Sequence, residues 1–185
     1  MFNRLLIAYV GSNALIAMNI CTQTDNLFGS VTIGVAQALI PIIAFFYGQE
    51  DRTALRDTLR YTIRFSVIVN SLLCIIICVL ANPIVQFFKA SDPDIVSMAC
   101  VAVRLFACSL PLKGINCIFA SYFQSTKKKW IATAISFAQT FLFACLFAAL
   151  LIKHLSDIGV WISLILTEAA TLCCMIGYIT YVTDW

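Results

Sequence analysis

The chain has 185 residues, of which 62% are hydrophobic and 11% charged, with a formal net charge of +3 and a mean hydropathy of +0.95. Soluble domains average about 45–50% apolar and about 25% charged residues, so these charges cannot cover a water-facing surface. The balance excludes a soluble globular domain, gives no reason to expect a nucleic-acid partner, and points to an integral membrane protein with the lipid bilayer around it.

The first residues are not those of a signal peptide. Arg4 is followed by a short apolar run to Val10, cut by Gly11-Ser12-Asn13, with no small-residue cleavage site. They read as the last turns of a preceding helix.

Five apolar segments of membrane-spanning length follow, each near or above the roughly 20 residues a span requires. The first runs from about Ala14 to Tyr47, with an unusually polar outer half (Asn19, Thr22, Gln23, Thr24, Asp25, Asn26). The second runs from about Leu59 to Leu80 and ends at Asn82-Pro83. The third runs from about Ile95 to Tyr122 and contains Arg104, Pro111 and Lys113. The fourth runs from about Trp130 to Ile152, and the fifth from about Val160 to Val182 with Glu168 inside it. Asp92-Pro93-Asp94 predicts a well-capped start for the third. Short connections make neighbours antiparallel. The predicted fold is all-α: one polytopic helix bundle, residues 1–185 forming a single membrane domain.

Orientation is read from Lys and Arg. Arg52, Arg56, Arg60 and Arg64 recur every four residues on one face of a lead-in helix, and Lys127, Lys128 and Lys129 follow the third span. The opposite side carries Arg4, Lys89 and Lys153 among Asp92, Asp94 and Asp157. Positive charge favours the cytoplasm, so the chain should begin outside and end with a cytoplasmic C-terminus.

No nucleophile–base pair, nucleotide loop or cofactor motif is present, which argues against an enzyme. The nine cysteines lie mostly in apolar runs and none has zinc-ligand spacing with a nearby His. They are expected to be small packing residues rather than a disulfide scaffold or a metal site.

Several stretches, taken together, resemble the multidrug and toxic compound extrusion (MATE) transporters. Gly34-Val35-Ala36-Gln37-Ala38-Leu39-Ile40-Pro41, then Tyr47-Gly48, is similar to that family's G-x-x-Q-A-x-x-P…Y-G pattern. Asp92-Pro93-Asp94, Val103-Arg104-Leu105-Phe106, Pro111 with Gly114-Ile115-Asn116, Ser121-Tyr122-Phe123-Gln124, and Gly159-Val160-Trp161 with Glu168 resemble further pieces in the family's order. The resemblance implies a chain made of the tail of span seven and spans eight to twelve of a twelve-span fold. That is the C-terminal lobe without its N-terminal lobe. It also implies a secondary active antiporter of a bacterial inner membrane, exporting cationic or amphipathic small molecules in exchange for protons or sodium ions. There are departures. Ala44-Phe45-Phe46 stands where the family usually has Gly-x-Asn, and Lys113 occupies or adjoins the place where some branches carry a cation-binding Asp. The latter weighs against sodium coupling there. Alternatives are a lipid-linked oligosaccharide flippase of the related superfamily, or a non-transporting membrane fragment.

Ionisable groups inside spans cost about 2.5–3.5 kcal/mol each on insertion scales, so they face a cavity or one another. Counted from the outer ends of their spans at 1.5 Å per residue, Asp25, Arg104 and Glu168 each lie about 14–16 Å deep, near the midplane. One polar cluster is expected, with Asp25 and Glu168 as titrating or cation-attracting carboxylates and Arg104 tuning them. Lys113 should lie nearer the cytoplasm, snorkelling or meeting a carbonyl freed by Pro111. Gln37, Pro41, Pro111 and Asn116 are the candidates for shaping or hinging a cavity, while Asn70, Asn116 and Gln139 should bridge helices.

Overall fold

A computed structural model describes residues 12–88, 93–126 and 129–182. Among these, every regular element is helical: α1 (Ser12–Thr24), a π-turn (Asp25–Gly29), α2 (Ser30–Gly48), α3 (Arg52–Val79), α4 (Ala81–Phe87), α5 (Pro93–Ser125), α6 (Lys129–Phe137), a second π-turn (Ala138–Phe143) and α7 (Ala144–Val182). Five stretches are long and apolar enough to cross a membrane: Leu15–Gly48, Arg52–Val79, Ile95–Ser125, Trp130–Leu151 and Ile158–Thr180. The protein is integral to the membrane. Arg4, Lys89, Asp92, Lys127 and Lys128, on which part of the orientation and capping expectations rest, lie outside the described residues.

The first span needs its π-turn. Along α1 the buried side chains are Ala17, Ile20, Cys21 and Thr24; along α2 they are Thr32, Ala36, Leu39 and Ile43, with Gly29 between. Apart from the adjacent pair Ile20 and Cys21, the steps are three or four residues except from Thr24 to Gly29, where the step is five. A π-turn supplies the extra residue and so keeps one buried stripe facing the bundle.

The second helix begins at Asp51, whose side chain accepts the backbone N–H of Ala54 at 2.9 Å. Leu55 and Leu59 are buried, and Arg52, Arg56, Arg60 and Arg64 are all exposed along one stripe beside them, as the four-residue spacing predicted. The span stops at Val79, and Asn82-Pro83 belongs to a separate seven-residue helix, α4. Pro83 fits there because it stands in the first turn, where a backbone N–H has no intrahelical acceptor. Ala81 and Val85 turn that short helix inward.

The helical run Ala144–Val182 doubles back on itself. Gln139 and Glu168 are 29 residues apart yet share hydrogen bonds, whereas a straight helix would separate them by about 43 Å. The reversal is tight at Gly159: a Cβ there would collide with the carbonyl oxygen of Leu151. Only glycine permits that approach.

Helix α5 is the axis of the bundle. Its first half packs with α1, α4 and the end of α3 in an apolar cluster that includes Ala99, Ala102, Val103, Ala107 and Leu110. Its second half joins Leu39, Ile43, Leu55 and Leu59 through Ile118, and Met175 through Phe123. Lipid tails are as apolar as these side chains, so close fit of small residues, rather than water exclusion, holds the helices together. Between the apolar clusters α5 carries a polar layer: Ser109, Lys113 and Asn116.

Candidate functional site

The polar layer opens into a cleft of about 320 Å³ lined by, among others, Asp25, Ser109, Lys113, Ser163, Thr167 and Glu168. Asp25 stands at the first residue of the first π-turn. Both its carboxylate oxygens accept from the Lys113 ammonium, at 2.6 and 2.7 Å. The opening for this carboxylate is made by Gly29, one turn on, where any Cβ would meet Oδ1.

Glu168 is held differently. Gln139 Nε2 donates to its two oxygens at 3.0 and 2.9 Å. Asn116 Nδ2 donates to Oε2 at 2.7 Å and to the Glu168 backbone carbonyl at 3.0 Å. Asn116 Oδ1 is buried and has no hydrogen-bond partner among the described residues. The Lys113 ammonium is engaged with Asp25, and Glu168 is held by the neutral amides of Asn116 and Gln139. Gln139 belongs to the second π-turn. Both π-turns thus deliver polar side chains to the same layer, in keeping with the tendency of such turns to occur at functional sites.

Three hydroxyls of the cleft give their protons away. Ser109 donates to the Phe106 carbonyl at 2.7 Å, Ser163 to Val160 at 2.6 Å and Thr167 to Ser163 at 2.8 Å. Their oxygens are left to the cleft as acceptors. With Asp25, Glu168 and Lys113 all ionised, two carboxylates face one ammonium and leave one net negative charge. Chemically the cleft suits a cation or a proton.

The expected cluster forms with one member exchanged. Lys113, not Arg104, meets Asp25. Nine residues at 100° each put Arg104 and Lys113 on opposite faces of α5, so only one of them can look into the cleft. Arg104 is exposed on the other face, and its backbone carbonyl contacts Cys78 Sγ at 3.9 Å. Lys113 does not snorkel away because a carboxylate stands within reach. Gln37 and Pro41 lie one turn apart on the exposed face of α2, away from the cleft, and the helix continues through Pro41. Pro111 is inside α5, two residues before Lys113. Asn116 and Gln139 bridge helices through Glu168, and Asn70 does so elsewhere by accepting from Thr32 at 2.5 Å and donating to the Ser66 carbonyl at 2.8 Å. Gly29 and the hydroxyl lining were missed. The Asp25-x-x-x-Gly29 spacing was the available signal for the glycine.

A bundle of membrane-length helices with two carboxylates and a lysine lining one cleft has the make-up of a membrane transporter. Comparison with known proteins specifies it: the MatE family profile matches residues 1–150, and the chain belongs to that family of transporters. The multidrug export protein MepA of Staphylococcus haemolyticus (strain JCSC1435) is 26% identical over 135 residues, covering 73% of this chain and 29% of that protein. A multidrug resistance MATE family transporter of the MOP superfamily in its outward-facing conformation superimposes with a TM-score of 0.90 at 17% identity, covering 97% of this chain and 41% of the other. The Vibrio cholerae MATE transporter VcmN in its bent form gives 0.84 at 19% identity, covering 98% and 42%. The chain therefore spans less than half the length of the transporters it matches.

Proposed function

We propose that this chain is the C-terminal lobe of a secondary active multidrug antiporter that exports cationic or amphipathic compounds in exchange for protons. The observation that carries the proposal is two carboxylates, Asp25 and Glu168, sharing one cleft with a single ammonium, Lys113; ionised together they would leave one negative charge uncompensated. One uncompensated charge can be neutralised by a proton or by a cationic substrate, and filling it with one removes the attraction for the other. That mutual exclusion is what exchange requires.

Glu168 is the best candidate for the exchanging carboxylate. Amide donors hold it in place without neutralising it, and the unpartnered Asn116 Oδ1 beside it offers a further acceptor. Lys113 at the heart of the site favours protons over sodium ions, since it already supplies a fixed cation to Asp25. A flippase would need several cations to hold a pyrophosphate, and the described cleft lining has one lysine against two carboxylates.

Alternating access moves one repeat against another, so a single lobe should not transport alone. The other lobe would cover exposed faces such as the one bearing Gln37 and Pro41. The Arg52–Arg64 face sets the orientation, with the C-terminus in the cytoplasm of a bacterial inner membrane.

The test is Glu168→Gln in the full-length transporter, assayed by efflux of a cationic dye from energised vesicles. Loss of pH-gradient-driven efflux at unchanged membrane abundance is expected. Wild-type efflux would overturn the assignment.

A further inference from the structure

Away from the cleft, three cysteines converge. Cys74 and Cys78 lie one turn apart on α3 and Cys108 lies on α5, and their sulfur atoms are all within 4.8 Å of one another. All three are free thiols; Cys108 is exposed and the other two are partly buried. Sequence spacing alone had set metal binding aside, because the third sulfur comes from a helix that only the fold brings alongside. No His, Asp or Glu joins the group among the described residues.

We propose that Cys74, Cys78 and Cys108 form a binding site for trivalent arsenic. The choice of ion follows from ligand number and charge. Zinc in a structural site takes four ligands, and only three are present. Copper(I) suits thiolates, but with three of them it would carry a net charge of −2 within a membrane span, where uncompensated charge is costly. Arsenic(III) with three thiolates is neutral, and its lone pair takes the place of a fourth ligand. The reaction needs no oxidant or base from the protein. Arsenous acid, As(OH)3, exchanges three As–O bonds for three As–S bonds, each thiol proton leaves with a hydroxide as water, and the arsenic stays trivalent.

Access is provided on the same stripe. Arg104 precedes Cys108 by one turn on the exposed face of α5, and a guanidinium at that depth marks a face reached by water or lining a cavity. Its charge could offset one negative charge, which still leaves copper(I) with an excess and zinc without its fourth ligand. Binding would pin α3 to α5. The site is separate from the carboxylate cleft, so it stands or falls independently of the transport reading.

The experiment is titration of the purified full-length protein, reduced and in detergent, with sodium arsenite. One arsenic per chain with three As–S bonds by X-ray absorption is expected, together with loss of three titratable thiols. Cys108→Ser and Cys78→Ser should each abolish the three-sulfur signature and weaken binding at least tenfold, whereas Cys145→Ser should leave both unchanged. Circular dichroism of each variant separates loss of the ligand from loss of the fold. Absence of three-sulfur coordination, unaltered binding in both variants, or tighter binding of zinc through the same cysteines would each overturn the proposal.

Discussion

Gly29 lies so close beneath Asp25 that a Cβ at position 29 would overlap the carboxylate Oδ1 and stand 3.6 Å from the Lys113 ammonium. The glycine is therefore part of the ion pair although it carries no functional group. Gly29→Ala should force the Asp25 side chain to turn away from Lys113. Alanine is favoured over glycine within a helix by about 0.5–1 kcal/mol, which offsets part of the damage. The expected result is a thermal stability within about 1 kcal/mol of wild type and efflux as low as in Asp25→Asn. Unfolding in detergent and dye efflux, measured on the same preparations, check both halves.

Whether the Asp25–Lys113 pair is a static strut or part of the transport chemistry is decided by a double-mutant cycle. Asp25→Asn in the full-length transporter should abolish coupled efflux with normal expression. Lys113→Met leaves a part-buried carboxylate without its cation and should cost about 1–3 kcal/mol. Combining the two should recover most of that stability, with a coupling of about 0.5–3 kcal/mol. If the pair only braces the helices, the double variant recovers efflux as well. If Asp25 takes part in exchange, stability returns and efflux does not.

Gly114 performs a similar service away from the cleft. A Cβ there would lie 2.5 Å from Asn70 Nδ2 and 2.7 Å from Ser66 Oγ. Asn70 has little freedom to yield, being 1% exposed and hydrogen-bonded to Thr32 and to Ser66. Gly114→Ala should destabilise by about 1–3 kcal/mol, the usual cost of overpacking. Adding Asn70→Ala should return part of the loss. Melting temperatures in detergent are the measurement.

Orientation can be read with a reporter. A fluorescent protein that matures only in the cytoplasm, fused after Trp185, should be bright in the wild-type chain. Replacing Arg52, Arg56, Arg60 and Arg64 by Gln should reduce that signal and expose the terminus to protease from the other side. An unchanged signal would mean that other charges set the topology.

The spans were legible because bilayer thickness imposes a length and a composition on any segment that crosses it. The same holds for the Arg52–Arg64 face, whose four-residue repeat is a helical period, and for the presence of Asp25 and Glu168 within spans, since intramembrane carboxylates need partners. What sequence order conveys is position along each helix axis. It does not convey rotation about that axis. Arg104 and Lys113 illustrate the difference: depth alone favoured the arginine, while the half-turn between the two residues gave the lysine to Asp25. The π-turn at Asp25–Gly29 is of the same kind. It adds one residue to correct the phase of a buried stripe, and that need exists only once neighbouring helices are in place. The convergence of Cys74 and Cys78 with Cys108 is likewise a matter of two helices meeting. Residue type and spacing along this chain determined that it spans the membrane and carries charges within it. Which of those charges and thiols face one another was decided by helix rotation and packing, because side chains meet through the azimuth of their helices and not through their order in the chain.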